Sequence, residues 1–223
     1  MEFQGFTQET SSFLWELAFH NERPWFQEHK EQYLRVLKEP FDALGAALQE
    51  EMNKRHPEGE WNVHISRIYR DARRLYGRGP YKDHLWLTVW DGMPGEDSTA
   101  FWFELSAASY ASGVGFYDAD AAQMEAWRAY IRSDIGGMER LARRLNRQKE
   151  FSLSGPDYKR PKGDVGELLN PWYNKRWVGV TAEHDFGGNV LSPDLPRILA
   201  DGFDFLMPYY RLFLRFRQQK NGQ

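Results

Sequence analysis

The chain contains no cysteine, and this absence removes several kinds of chemistry at once. Disulfide bonds, zinc sites with thiolate ligands and cysteine nucleophiles are all excluded. The sequence also lacks any stretch of about 18 uninterrupted apolar residues, and its first residues show no basic segment followed by an apolar run. We therefore expect a cytoplasmic protein that does not associate with a membrane.

The chain also lacks a large excess of charge of either sign. The chain has 29 Lys and Arg residues against 32 Asp and Glu residues, so its formal net charge is −3. A general nucleic-acid binder would carry a strong positive field, which this chain lacks, although a local basic patch could still bind phosphate. The composition therefore disfavours a nucleic acid as partner without excluding one.

Familiar catalytic signatures are absent too. No GxSxG nucleophile elbow, Walker loop or HExxH motif occurs, and the six histidines show no metal-ligand spacing. His64, His84 and the segment EHD at 183–185 come nearest to such a pattern, and a surface or core role fits them better. We expect no metal and no cofactor, and the sequence leaves open whether the protein is an enzyme.

What the chain does contain is apolar and aromatic bulk. Hydrophobic residues make up 41% of the sequence, with 9 Trp, 11 Tyr and 15 Phe. Burial of these side chains offsets the conformational entropy that the chain loses on folding, and 223 residues suffice for one well-formed core. The composition predicts a folded single domain over residues 1–223.

The hydrophobic period changes along the chain. A 3.6-residue period covers residues 10–53, with Pro40 expected to end or kink the helix. The period then approaches two in WNVHISRIY, HLWLTVW, AFWFELS, SYASGVGFY and, later, RWVGVTAEHDF. Helical patterns return at 119–149, with a break expected near Gly136 and Gly137, and at the C-terminal end. The order predicts an α+β fold, in which a largely antiparallel sheet packs with N-terminal, middle and C-terminal helices.

Two of these strands predict a hairpin. HLWLTVW and AFWFELS flank DGMPGEDST, a loop rich in Gly, Pro and Asp. Both faces of these strands carry apolar bulk, so helices should cover at least part of the second face. Trp86, Trp90 and Trp102 could form a stacking platform on one face, although core packing explains them more simply.

The most unusual stretch is RIYRDARRLYGRGPYKDH at 67–84. It carries six cations within residues 67–82, and Asp71 is the single acidic residue among them. The cations are Arg67, Arg70, Arg73, Arg74, Arg78 and Lys82. In an extended strand Arg67 and Arg70 would lie on opposite faces, so they can share a site only if the chain bends. Gly77, Gly79 and Pro80 predict a loop there, and loops on rigid scaffolds often carry binding sites.

A second basic element, YKRPKGD at 158–164, lies in a later turn-rich segment. Lys159, Arg160 and Lys162 could converge on the first cluster. Guanidinium groups suit bidentate contacts with phosphate or carboxylate, and Asp71 could hold one arginine in place. Convergence would favour an anion site, whereas separation would leave two ordinary exposed patches.

The motif RIYRDARRLYGRGPY resembles RxxRDxRFxxxKxPY, the signature of a bacterial family called domain of unknown function 2461. The matching positions are Arg67, Arg70, Asp71, Arg73, Pro80 and Tyr81. Arg74 replaces the family's phenylalanine, and Arg78 replaces its lysine. NERPWFQEHKEQY and YKRPKGD are also similar to that family. The resemblance implies one domain of about this length and makes both basic elements candidates for a shared site, but it implies no activity.

Three hypotheses follow for the basic cluster. In the first, it binds a phosphate- or carboxylate-bearing small ligand. Arg67, Arg70, Arg73 and Arg160 would then hold the anion, with Asp71 orienting them and Tyr81 or Lys82 donating a proton. Arg78 and Lys162 are further candidates for the same anion site. In the second hypothesis, the same cations dock an acidic partner or nucleic acid. In the third, the arginines pair with the protein's own carboxylates and only secure the fold, or they simply lie in solvent.

Overall fold

The computed structural model describes residues 2–71, 73, 75, 77–92, 99–117 and 119–218, with the backbone alone for 216–218. The described chain has the α+β architecture that the sequence predicts, with an antiparallel sheet and helices in its N-terminal, middle and C-terminal parts. The tip of the expected hairpin, residues 93–98, lies outside the described residues.

The N-terminal part is helical, as expected. Its elements are α1 (Gln8–Phe19), α2 (Arg23–Glu28), α3 (Lys30–Tyr33), a π-helical turn (Leu34–Lys38) and α4 (Glu39–Arg55). Pro40 does not end the helix. Its ring excludes the usual hydrogen bond to the carbonyl of Val36, and the wider π turn accommodates this change. The Thr10 hydroxyl donates to that Val36 carbonyl over 2.8 Å, so the oxygen keeps a partner.

In the part of the chain that the structure describes, six strands form one antiparallel sheet in the order β1-β2-β3-β4-β6-β5. They are β1 (Trp61–Ile65), β2 (His84–Asp91), β3 (Phe101–Ser106), β4 (Ser109–Phe116), β5 (Ser152–Ser154) and β6 (Val178–Asp185). β1 and β2 pair from Trp61 opposite Asp91 to Ile65 opposite Leu87. The neighbouring places of β2 and β3 agree with the expected hairpin.

The helix break in the middle of the chain falls two residues before the expected glycines. α5 (Ala121–Ser133) and α6 (Ile135–Asn146) meet at Asp134, whose carboxylate accepts from the backbone N–H of Gly137 at 2.9 Å. This cap starts α6 before the glycines, so both lie in its first turn. The sequence pattern did not predict β5 or the short α7 (Asn170–Tyr173). The last helix, α8 (Leu195–Gln218), contains Pro208.

The described residues form two compact units. The first comprises residues 2–92 with their gaps, 102–112 and 183–202. The second comprises residues 99–101, 113–117, 119–182 and 203–218. The single domain expected over residues 1–223 stays a prediction.

The core of the first unit lies between its helices and one face of β1, β2 and β3. Leu85, Leu87 and Val89 of β2 are fully buried on that face. Phe41 of α4 lies 6.0 Å from Phe103 of β3, measured between ring centroids. The opposite side chains of β2 are only half-buried.

The core of the second unit is aromatic. Trp127 of α5 packs against Phe116 at 5.6 Å and Phe213 at 5.9 Å between ring centroids. The buried Tyr209 hydroxyl donates to the Leu141 carbonyl over 2.9 Å. Burial raises the pKa of Tyr209 to about 12.

Candidate anion-binding site

The basic cluster begins where β1 ends. After Ile65, Ser66 still pairs with β2, because its N–H donates to the Trp86 carbonyl at 2.8 Å and its hydroxyl accepts from the Trp86 N–H at 3.2 Å. Beyond this point regular strand geometry stops. The chain then bends, which is the condition that the sequence sets for Arg67 and Arg70 to share a site.

The loop that follows is closed at its base by backbone pairing. The N–H of Arg70 donates to the Pro80 carbonyl and that of Lys82 to the Ile68 carbonyl, both at 2.8 Å. Tyr69 and Tyr81 face each other in an isolated antiparallel bridge. The residues between Arg70 and Pro80 therefore leave the sheet region and return to it at a fixed point.

Asn21, between α1 and α2, holds the base of this loop in place through hydrogen bonds. Its side chain accepts from the N–H of Tyr81 at 2.9 Å and donates to the carbonyl of the same residue at 3.0 Å. The Tyr81 ring stacks on Phe26 with centroids 4.1 Å apart and is only 1% exposed. Gly79 lies so close that an added Cβ would meet the Asn21 side chain at 2.2 Å. Tyr81 is therefore part of the core that anchors the loop.

A cavity of about 480 Å³ lies beside this loop. Its lining residues are His64, Ser66, Arg67, Tyr69, Arg70, Asp71, Arg73, Lys82 and Trp86. All belong to the first unit. The structure thus brings together five of the nine residues that the sequence nominates, namely Arg67, Arg70, Asp71, Arg73 and Lys82.

Arg70 is held mainly by the protein itself. Its Nε donates to the Tyr81 carbonyl at 2.6 Å, and its Nη2 lies 3.2 Å from Asp83 Oδ1. Only 14% of its side chain is exposed. This guanidinium ties the two sides of the loop base together and has part of its charge balanced by Asp83.

Asp71 and Arg73 form a local pair. The carboxylate accepts from Arg73 Nη2 at 2.8 Å and from Nε at 3.0 Å, while the Arg73 backbone N–H donates to it at 3.0 Å. This contact raises the pKa of Arg73 through the hydrogen bond from its guanidinium to Asp71. Asp71 therefore orients one arginine, which is 87% exposed.

Lys82 and Arg67 are paired differently. Lys82 Nζ donates to the backbone carbonyl of Arg67 at 2.6 Å, and it lies 5.6 Å from the ring centroid of Trp86. Burial lowers the pKa of Lys82, the charges of Arg67 and Arg70 lower it further, and Glu104 opposes the shift. Within the described ranges, the exposed Arg67 guanidinium makes no hydrogen bond or ion pair.

A chain of polar contacts continues from Arg70 along the start of β2. Asp83 Oδ1 lies 2.9 Å from His84 Nδ1, and His84 Nε2 lies 3.9 Å from Glu104 on β3. Burial by itself would raise the pKa of Asp83, but the bond to His84, a bond to its own backbone N–H and the charge of Arg70 lower it overall. Asp83 therefore stays ionised and supports the position of Arg70.

The other nominated residues do not line this cavity. Arg78 is exposed and its Nε contacts the Leu75 carbonyl at 3.5 Å, while Tyr81 is buried in the core. Arg160 and Lys162 are exposed residues of the second unit, where Lys162 Nζ lies 4.7 Å from the Tyr158 ring centroid. Arg74 lies outside the described residues.

Four lining residues were absent from the nominated set: His64, Ser66, Tyr69 and Trp86. For three of them, His64, Ser66 and Trp86, the alternation in the sequence assigns each side chain to one face of its strand. Residues that pair between two strands of a sheet share a face. His64 pairs with Thr88, and Ser66 lies opposite Trp86. The sequence does not show the register between the two strands, so it could not place these residues beside one another.

Other site types find little support in the described residues. No group of three or more histidine, aspartate or glutamate side chains there could hold a metal ion. Among the same residues, no helix combines the length and apolar character that crossing a bilayer requires.

The fold and cavity define an α+β protein with a basic pocket at the end of its first strand. The profile of one family, described as conserved hypothetical protein DUF2461, matches residues 9–211. The chain therefore belongs to the DUF2461 family. No curated protein matches the chain.

Proposed function

We propose that this protein binds a small phosphate- or carboxylate-bearing molecule in the cavity beside Arg67. The observation that carries the proposal is the pairing of the cations. Arg70 and Arg73 are bonded to Asp83 and Asp71, whereas Arg67 and Lys82 have no hydrogen-bonded carboxylate within the part of the chain that the structure describes.

The two kinds of cation suit different tasks. Arg67 has a free planar fork that can bind two oxygens of one anion, and Lys82 adds a compact charge nearby. Arg70 and Asp71 keep the loop and the neighbouring Arg73 in position. Lys82 is the candidate proton donor, because its lowered pKa makes it a stronger acid than an ordinary lysine. Tyr81 is poorly suited to that role because its ring is buried.

The third hypothesis, a purely structural cluster, describes Arg70 and Arg73 well. Its pairing of arginines with carboxylates does not extend to Arg67, which lines a cavity and has no hydrogen-bonded partner in the described residues. The second hypothesis, an acidic partner or nucleic acid, uses the same exposed cations. It predicts tolerance of many polyanions and a steep loss of affinity with salt.

The test is calorimetric titration of the wild type, Arg67→Ala and Arg78→Ala with inorganic phosphate and with a dicarboxylate such as malate. Arg78 is a matched control, since it is an exposed arginine of the same loop that does not line the cavity. Losing a charged hydrogen bond should weaken binding roughly 10- to 150-fold in Arg67→Ala. Arg78→Ala should bind like the wild type.

Two results would contradict the proposal. One is that neither anion binds the wild type. The other is that Arg67→Ala and Arg78→Ala lose the same affinity. Saturable binding of one small anion that persists at physiological salt supports the pocket. Binding of both anions without saturation, and with a steep loss at higher salt, would instead support docking of an acidic partner or nucleic acid.

A further inference from the structure

The cavity has an aromatic side as well as a basic one. Tyr69 lines it and is 51% exposed, which is unusual for a large aromatic side chain. The Tyr69 ring packs against the Phe26 ring, with 5.9 Å between the ring centroids and 66° between the ring planes. Trp86 also lines the cavity, half-buried, with the His64 ring 5.8 Å away. Aromatic and cationic side chains therefore line the same cavity.

The backbone fixes this arrangement. Trp86 is bonded to Ser66 through both its N–H and its carbonyl, so the indole is carried by a paired strand. Tyr69 sits in the bridge with Tyr81 at the loop base. The backbone at both residues is therefore fixed before any ligand arrives, which lowers the entropy cost of stacking against their rings.

The charge of the cations without a hydrogen-bonded carboxylate indicates which anion fits. Arg67 and Lys82 supply two positive charges that are not hydrogen-bonded to carboxylates in the described residues. A phosphate monoester carries about −1.5 to −2 at neutral pH, whereas a carboxylate carries one negative charge. Two cations therefore match a phosphate monoester better.

The cavity is also larger than a phosphate requires. Its volume of about 480 Å³ lies in the range of pockets that enclose whole organic ligands, roughly 300–1,000 Å³. We propose that its ligand is a nucleoside monophosphate, with the phosphate on Arg67 and Lys82 and the base against Trp86 and Tyr69. This inference rests on the proposed anion site and extends it by naming the ligand class.

The measurement compares adenosine 5′-monophosphate, uridine 5′-monophosphate and ribose 5-phosphate by calorimetry on the wild-type chain. All three carry the same phosphate and sugar, and only the first two carry a base. Stacking of one base on an aromatic side chain should give the nucleotides a roughly 5- to 150-fold advantage. The two nucleotides should bind within a narrower range of each other, because every base has a ring face.

Variants of Trp86 and Tyr69 test whether these aromatic side chains cause the higher affinity for nucleotides. Trp86→Leu and Tyr69→Leu should each lower the affinity for the nucleotides more than the affinity for ribose 5-phosphate. Trp86→Leu should also weaken ribose 5-phosphate to some extent, because it removes the ring beside Lys82 Nζ. Trp86→Phe keeps a ring and should retain much of the advantage. Arg67→Ala should weaken all three ligands together, and circular dichroism checks that each variant is folded.

The outcomes separate the two proposals. Equal affinity of wild type for the nucleotides and ribose 5-phosphate would overturn the nucleotide inference and leave the anion site standing. If none of the three binds, the nucleotide inference is wrong, and the titrations with inorganic phosphate and malate decide whether the anion site stands. A nucleotide advantage that survives unchanged in both leucine variants would also overturn the inference, because the base would then be held elsewhere.

Discussion

Replacing Arg70 by alanine should destabilise the protein much more than replacing its neighbour Arg73. The two arginines are three residues apart and each contacts a carboxylate, but their surroundings differ. Arg70 is 14% exposed and bonds a backbone carbonyl, whereas Arg73 is 87% exposed and bonds only Asp71 nearby in sequence. The pair of variants therefore separates a structural arginine from a solvated one.

The magnitude follows from the contacts of Arg70. A hydrogen bond from a charged donor contributes about 1.5–3 kcal/mol, and the half-exposed Asp83 adds little to this. The Tyr81 carbonyl keeps the donor of Asn21 in the variant, so no acceptor is left unpaired. Loss of part of the buried aliphatic stem adds a smaller amount. We expect Arg70→Ala to lower the free energy of unfolding by about 2–3 kcal/mol, or Tm by roughly 4–12 °C.

Urea denaturation and thermal melting followed by circular dichroism would measure these losses. Arg73→Ala should leave both midpoints unchanged within error. Arg70→Lys should recover only part of the loss, because one ammonium cannot reproduce the fork that reaches both a carbonyl and Asp83. Equal destabilisation by Arg70→Ala and Arg73→Ala would refute the reasoning.

Three further changes test the contacts around the site and the second unit. Asn21→Ala removes both side-chain bonds to the backbone of Tyr81, so it should cost about 1–3 kcal/mol of stability in urea denaturation; an unchanged midpoint would contradict this anchor. Asp83→Asn should be less stable than the wild type at neutral pH. Because the folded pKa of Asp83 is lowered from 3.8, this difference should vanish as the pH falls through the folded value, and a pH-independent difference would count against the pairing with His84. Tyr209→Phe leaves the backbone carbonyl that its hydroxyl reaches without that donor, and should lower stability by about 1 kcal/mol; calorimetric melting would measure this, and an equally stable variant would contradict it.

The sequence predicted the fold class because its signals are local. The change of hydrophobic period after Gly59 separates the helices from the strands, and the alternation in HLWLTVW gives the buried face of β2. Pro40 was harder to interpret. Its effect depends on whether the freed Val36 carbonyl finds another partner, and that partner is Thr10, far away in sequence.

The candidate site was predicted in part. The density of cations in residues 67–82 identified the segment, and Gly77, Gly79 and Pro80 identified the loop. The sequence could not rank the arginines, because charge and spacing do not show which guanidinium reaches a carboxylate. Arg70 and Arg67 look alike in the motif, yet one is tied to Tyr81 and Asp83 while the other lines the cavity without such a tie in the described residues.

The sequence by itself therefore determined the α+β class, the family and the position of the basic loop, since these depend on composition, period and motif. Only the tertiary structure decided the chemistry around Lys82, whose lowered pKa arises from burial and from Arg67 and Arg70. It also decided that Tyr69 and Trp86 border the same cavity. Both outcomes depend on strand register and on a bend after β1, which are set by contacts between residues distant in the chain.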